Sequence, residues 1–207
     1  METIIKVISL GKCYGEEFIF KDVSFELFEN EILVIMGPSG IGKSTLLNLI
    51  ANLDTDYQGE IYYNPRIFES VVAPLPLVFQ DFETLVPWLN VAEQLSLVNP
   101  GLTKTEIESY LNLVELYQHK DKMPSELSGG MKQRLALVRA LVCRSKIILM
   151  DEPFSSLDQQ IKSSLYTLLL KIKQERNISI ILVTHDPNEA RILGDRTLNL
   201  GASSNFF

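Results

Sequence analysis

The chain is 207 residues long and carries 19 basic against 26 acidic side chains, a formal net charge of −7, with 46% hydrophobic and 22% charged residues. Those values describe an ordinary globular fold, one large domain or one domain holding an inserted subdomain. The acidic balance argues against binding a phosphate backbone as the main activity, so no nucleic-acid partner is expected.

The N-terminal stretch Met1-Glu-Thr-Ile-Ile-Lys runs directly into strand-like alternation without a signal pattern. The apolar runs, such as Ile180 to Val183, are far short of a membrane span. The expectation is a cytoplasmic chain whose membrane work, if any, falls to a partner. Strands are predicted over Ile4 to Leu10, Val23 to Phe28, Ile32 to Met36 and Glu60 to Tyr63, with a glycine-opened helix over Lys43 to Ala51. From Val91 to Val142 the periodicity turns helical, with Ile107, Leu111, Val114 and Leu116 on one face, and Thr103 followed by Glu106 predicts a capping box. Strands return at Lys146 to Met150 and Ile178 to Val183, either side of a helix through Gln160 to Glu175, and a last strand is expected at Arg196 to Leu200. Continuous apolar strands alternating with helices predict a buried parallel sheet. The fold class is therefore α/β: a core with a mostly parallel sheet, an N-terminal antiparallel β part and an inserted helical subdomain. We expect a single domain over 1–207, with 1–80 and 144–207 as the α/β core and 81–143 as the helical insert. Cys13 and Cys143 lack CxxC spacing and are expected as reduced, buried thiols; His119, in a polar stretch, is expected on the surface.

The strand Ile32 to Met36 leads into Gly37-Pro-Ser-Gly-Ile-Gly-Lys43-Ser44-Thr45 and then an apolar helix, the GxxxxGK[ST] pattern in the strand–loop–helix setting it requires. Glycines let backbone amides wrap phosphates at a helix N-terminus. Lys43 then reaches the β- and γ-phosphates and Ser44 holds Mg²⁺. A second apolar strand, Ile147 to Met150, ends in Asp151-Glu152-Pro153. Ligands of open α/β sheets lie beyond the carboxyl ends of strands, so Asp151 is assigned to Mg²⁺ and Glu152 to polarising an attacking water. Two more strands end in polar groups that converge on the same edge: Leu77-Val-Phe in Gln80, and Ile178 to Thr184 in His185. Leu127-Ser128-Gly129-Gly130-Met131-Lys132-Gln133-Arg134 places an N-cap and two glycines at the start of a helix. By itself that is either another anion-facing helix N-terminus or an ordinary capped helix.

Taken together, these stretches resemble the nucleotide-binding subunit of ABC transporters over essentially the whole chain. Gly37, Pro38, Ser39, Gly40, Ile41, Gly42, Lys43, Ser44 and Thr45 resemble that family's Walker A motif, and Ile147 to Glu152 its Walker B motif with the glutamate as general base. Leu127 to Arg134 resembles the ABC signature, which sets this family apart from other P-loop NTPases. The resemblance puts Gln80 at the Q-loop as a further Mg²⁺ ligand, Ser155-Ser-Leu-Asp158 at the D-loop and His185 at the switch histidine. Tyr14 falls where the family stacks a ring on adenine. It implies two subunits, copies or homologues, sandwiching two ATP molecules, each between one Walker A and the opposite Ser128, Gly129, Gly130 and Gln133. It further implies a peripheral position on the cytoplasmic face of the cell membrane, an integral membrane permease docking near the Q-loop and helical insert, and an extracytoplasmic solute-binding protein. The segment from Gln80 to Val91 looks like the nitrate/sulfonate/taurine group of importers, which includes thiamine precursors among its substrates. The chain departs from the fuller family in stopping soon after Arg196 to Leu200, so no added regulatory domain is expected.

A soluble ABC ATPase acting on ribosomes or DNA is the main alternative. Such chains carry tandem ATPase domains or a long coiled-coil insert, and neither pattern is present here. A P-loop kinase accounts for Gly37 to Thr45 but leaves Ser128 to Arg134, Asp158 and His185 without a role. A scaffold that binds ATP without hydrolysing it has no use for Glu152. Trp88, in the apolar loop after Gln80, either packs in the junction between core and insert or, with Leu85 and Val86, lines a groove for a permease helix.

Overall fold

The structure is a computed structural model that describes residues 2–15, 17–66, 68, 75–79 and 84–201. Strands β1 (Thr3–Tyr14) and β2 (Glu17–Phe28) form an antiparallel hairpin, and β4 (Gln58–Tyr63) pairs with the other edge of β1. Both hairpin strands run longer than their alternation predicts. Register shifts between Val7 and Leu10 and again between Leu10 and Lys12 break the period of two while the pairing continues to Tyr14 opposite Glu17.

The second sheet is parallel, in the order β5 (Leu77–Val78), β6 (Ile147–Asp151), β7 (Ser179–Val183), β3 (Ile32–Met36) and β8 (Arg196–Asn199). Its central strands β6, β7 and β3 are almost wholly apolar because both faces are covered, while the edge strand β8 alternates with polar residues. Ile32, Val34, Ile148, Met150, Ile180 and Leu182 point into one core, with α5 (Gln159–Arg176), α6 (Pro187–Leu193) and the insert helices α2 (Val91–Val98), α3 (Lys104–Leu113) and α4 (Gly129–Val142). The alternate residues Leu33, Ile35, Ile147, Leu149, Ile181 and Val183 point into a second core, with α1 (Lys43–Ile50) and the antiparallel sheet. The helical insert thus shares its apolar core with the parallel sheet. The last strand, β8, is paired with β3 from Leu33–Arg196 to Met36–Asn199.

Two helix starts follow the caps expected at Thr103 and Ser128, and Asn90 adds a third. Asn90 and Thr103 make reciprocal capping boxes with Glu93 and Glu106, and Ser128 Oγ accepts the Met131 amide at 3.3 Å. Two expectations about single residues are corrected. Cys143 is exposed, because it closes α4 as its C-cap, and Cys13 is only half-buried. His119 is half-buried in a 3-10 turn, and its enclosed Nδ1 has no hydrogen-bond partner among the described residues.

Candidate functional site

Parallel pairing brings the carboxyl ends of three central strands level. Ile35 and Asp151 both register with Val183, so the segments after β3, β6 and β7 leave the sheet side by side. After β3 the chain wraps from Gly37 to Gly42 and enters α1 at Lys43. Gly42 is the N-cap with φ 99°, and a Cβ there would stand 2.4 Å from Cγ2 of Ile19 and 2.9 Å from the Phe20 ring. Only glycine meets both demands. Lys43 is 6% exposed, and its ammonium donates to the carbonyls of Gly37 at 2.9 Å and Pro38 at 3.0 Å. Among the described residues no carboxylate forms an ion pair with it, so its charge stays at the loop. Pro38, Ser39 and Gly40 are exposed, while Ile41 is half-buried against Gly37 and Gly201. A cleft of about 250 Å³ opens here, lined by Ser39, Gly40, Gly42, Lys43, Ser44, Thr45, Ile19 and Glu152.

Across the cleft, Asp151 is half-buried and hydrogen-bonded to the Ser44 side chain. Burial pushes its carboxyl above the usual aspartate range and Glu152 adds to the rise, while the Ser44 hydrogen bond and the Lys43 charge oppose it. Glu152 takes a left-handed conformation, φ 46°, which costs a side-chain-bearing residue about 1–2 kcal/mol. Backbone bonds hold it there: its N–H donates to Val183 O at 3.0 Å, and its carbonyl accepts from the amide of Ser155 at 3.2 Å and the hydroxyl at 3.0 Å. The bend carries the carboxylate off the strand line to His185, whose Nδ1 lies 2.9 Å from Glu152 Oε2. A carboxylate only accepts, so Nδ1 carries the proton of that bond.

The remaining predicted positions are placed elsewhere. Asp158 caps α5, accepting the Ile161 amide at 3.0 Å. Ser128 is exposed at the start of α4 and lies outside the cleft lining. Gly130 is buried against α5, where a Cβ would fall 2.7 Å from Ile161 Cγ2. Gln133, one helical turn beyond Gly130, is 3% exposed. Tyr14 stands 60% exposed at the end of β1 and does not line the cleft. Its ring lies 5.2 Å from the ammonium of Lys12, a buried lysine paired with Asp54 at 2.9 Å and Asp56 at 3.2 Å. Gln80 lies outside the described residues.

Sequence reasoning missed Ile19, whose place over the loop depends on how β2 packs on Gly42. It also missed Gln94. That fully buried amide donates to the carbonyls of Val86 at 2.6 Å and Leu89 at 3.1 Å and accepts the Val86 amide at 3.2 Å. The turn so clamped leaves Trp88 74% exposed and Leu85 4% exposed. Trp88 is therefore not core, and Leu85 is core rather than groove.

Ser44 and Asp151 supply a hydroxyl and a carboxylate side by side, an all-oxygen pair suited to Mg²⁺ when phosphate oxygens complete its shell. Among the described residues no helix is long and apolar enough to cross a membrane.

The family model described as "ABC transporter" matches residues 20–155. A bicarbonate transport ATP-binding protein of Synechocystis is 38% identical across 99% of this chain, and an aliphatic sulfonates import ATP-binding protein of Burkholderia cenocepacia is 37% identical across 91%. A nitrate import ATP-binding protein of Synechococcus elongatus is 40% identical across 90%. The chain spans 32% of the bicarbonate relative's length, 70% of the sulfonate relative's and 29% of the nitrate relative's. Among solved structures, a dimeric ABC transporter cassette, MJ0796, superposes with a TM-score of 0.79 at 33% identity, covering 95% of this chain and 94% of that one. The same cassette is known in a post-hydrolysis dimer bound to ADP and Pi.

Proposed function

The chain belongs to the ABC transporter ATP-binding family, and from that premise we propose that it binds and hydrolyses ATP to drive an importer through a separate membrane permease. The observation that carries this reading is the convergence of Lys43, Asp151, Glu152 and His185 at the carboxyl edge of one sheet. In this reading the amides from Gly37 to Lys43 and the positive end of α1 cradle the phosphates. Lys43 exchanges the carbonyls of Gly37 and Pro38 for phosphate oxygens. Glu152 accepts a proton from the attacking water, and His185 holds the carboxylate in place. Mg²⁺, held by Ser44 and Asp151, would offset phosphate charge. Exposed Tyr14 offers its ring to the adenine base.

In this reading Ser128 and Gly129 of a second subunit cover the site. Trp88, on the turn held by Gln94, is the contact for the permease in this reading, with the chain at the cytoplasmic face of the membrane. The named relatives serve bicarbonate, sulfonate and nitrate systems. A small anionic or organic solute, delivered by a solute-binding protein, is the corresponding cargo.

The test uses the purified chain. Mg-ATP should be hydrolysed, and Glu152→Gln should run as a dimer in sizing chromatography with ATP and as a monomer without it. Adding Ser128→Arg should abolish the dimer. A dimer that persists in the double variant would exclude the shared site.

A further inference from the structure

Behind His185 lies a second carboxylate that the chemistry above does not use. Glu189, in the first turn of α6, is 2% exposed. Its Oε1 accepts from Lys162 Nζ at 2.9 Å and from the Tyr166 hydroxyl at 3.1 Å, and its Oε2 accepts from Thr184 Oγ1 at 2.5 Å. A carboxylate buried so deeply is tolerated only when its lone pairs are this fully used. The partners come from two places. Lys162 and Tyr166, four residues apart, share one face of the first two turns of α5, the helix that Asp158 caps. Thr184 directly precedes His185, is itself 2% exposed, and accepts the Asp186 amide at 3.1 Å. Asp186 in turn caps α6 through the Asn188 amide at 2.8 Å. His185 is therefore flanked on both sides by pinned residues, and the pin leads through Glu189 to α5.

We propose that Glu189 is a positioning residue, tying the start of α5 to the turn that carries His185, so that the contact of His185 with Glu152 depends on where α5 sits. The inference rests on the proposed hydrolytic role of Glu152. It adds a route by which displacement at Asp158 reaches the carboxylate without any ligand contact by the residues between. Lys162 also lies 3.8 Å from Asp186, which gives α5 a second hold on the same turn.

The experiment compares Thr184→Val, which keeps the shape and removes the hydroxyl, with Glu189→Gln, and uses Thr184→Ser as the conservative control. The chain has only two histidines, so His185 is read by imidazole NMR at fixed pH with His119 as internal reference. Both disruptive variants should shift the His185 Nδ1 resonance toward that of an imidazole without the carboxylate bond, and leave His119 unmoved. Turnover should fall by about tenfold to a hundredfold with KM for ATP nearly constant, as expected of misplacement rather than lost binding. Thr184→Ser should keep both signals at the wild-type values. Should Glu189→Gln fail to fold, Thr184→Val decides alone. A lower melting temperature with unchanged His185 resonance and unchanged turnover per folded molecule would make the network purely structural and overturn the proposal. Absence of ATP hydrolysis in the wild type would instead remove the proposed function, and the resonance comparison would still decide the positioning role.

Discussion

Nδ1 of His185 lies 2.9 Å from Oε2 of Glu152, although 33 positions separate the two residues. The pair forms because β6 and β7 register Asp151 against Val183, and the left-handed bend at Glu152 then turns its side chain toward the end of β7. Glu152→Gln keeps an oxygen that accepts from Nδ1, so the fold and ATP affinity should persist. Turnover should fall by about 10²–10⁴-fold, the usual share of a general base. Phosphate release and ATP titration measure the two separately, and unchanged hydrolysis would remove Glu152 from the chemistry.

Lys43→Ala removes the only cation among the described residues that line the cleft. Charge-assisted bonds contribute about 1.5–3 kcal/mol each, so ATP affinity should drop by at least about tenfold along with activity. Calorimetry checks it; normal affinity would contradict the assignment of Lys43 to the phosphates.

Gly42→Ala meets both an unfavourable φ and a Cβ contact of 2.4 Å with Ile19. We expect a loss of about 1–3 kcal/mol in thermal or denaturant unfolding. Ile19→Ala in the same chain should recover part of that loss beyond its own cost, as a double-mutant cycle would show, leaving the φ penalty and the Phe20 contact. Strict additivity of the two changes would mean that the loop moves rather than clashes.

Trp88→Ala and Leu85→Ala, three residues apart, should separate contact from core. Trp88 is 74% exposed, so its removal should change stability by no more than about 0.5 kcal/mol, while transport in vesicles with the permease is lost. Leu85 is 4% exposed, and its truncation should cost about 2–5 kcal/mol. Unfolding curves of both variants, read beside transport, make the comparison. A strongly destabilised Trp88→Ala would end the docking assignment.

The Lys12–Asp54 pair should shape stability at both ends of the pH scale. The Lys12 hydrogen bond holds the Asp54 carboxyl below its usual range, and the Asp54 hydrogen bond is the largest influence raising the Lys12 ammonium. The carboxylate's contribution is present above the ordinary aspartate range and is lost as pH falls through its lowered value. The ammonium's is present below the ordinary lysine range and is lost as pH rises through its raised value. Lys12→Met should therefore flatten both limbs of a melting-temperature profile. Limbs of unchanged steepness would show that solvent screens the pair.

Where the sequence misled, side-chain environment was the reason. An apolar loop containing a tryptophan reads equally as core or as contact, and the exposure of Trp88 follows from a buried amide, Gln94, whose burial has no local signature. The inward turn of Gln133, one helical turn beyond Gly130, likewise follows from the packing of α4 on α5. Polar neighbours predict a surface His119 and the lack of CxxC spacing a buried Cys143, whereas a 3-10 turn and a helix end set their actual exposure.

The sequence by itself determined what depends on short-range geometry. The loop from Gly37 to Lys43 closes on itself, with the Lys43 ammonium bonded to carbonyls five and six residues earlier, and such a structure can be read from spacing alone. The caps at Asn90, Thr103 and Ser128 are of the same kind. Only the tertiary structure decided which strand ends stand side by side, because parallel pairing joins residues far apart in the chain, and strand order is absent from any one strand's pattern. From that order come the Glu152–His185 bond, the place of Ile19 over the cleft and the burial of Glu189 between α5 and α6. Each depends on a contact whose partner must first be delivered by packing.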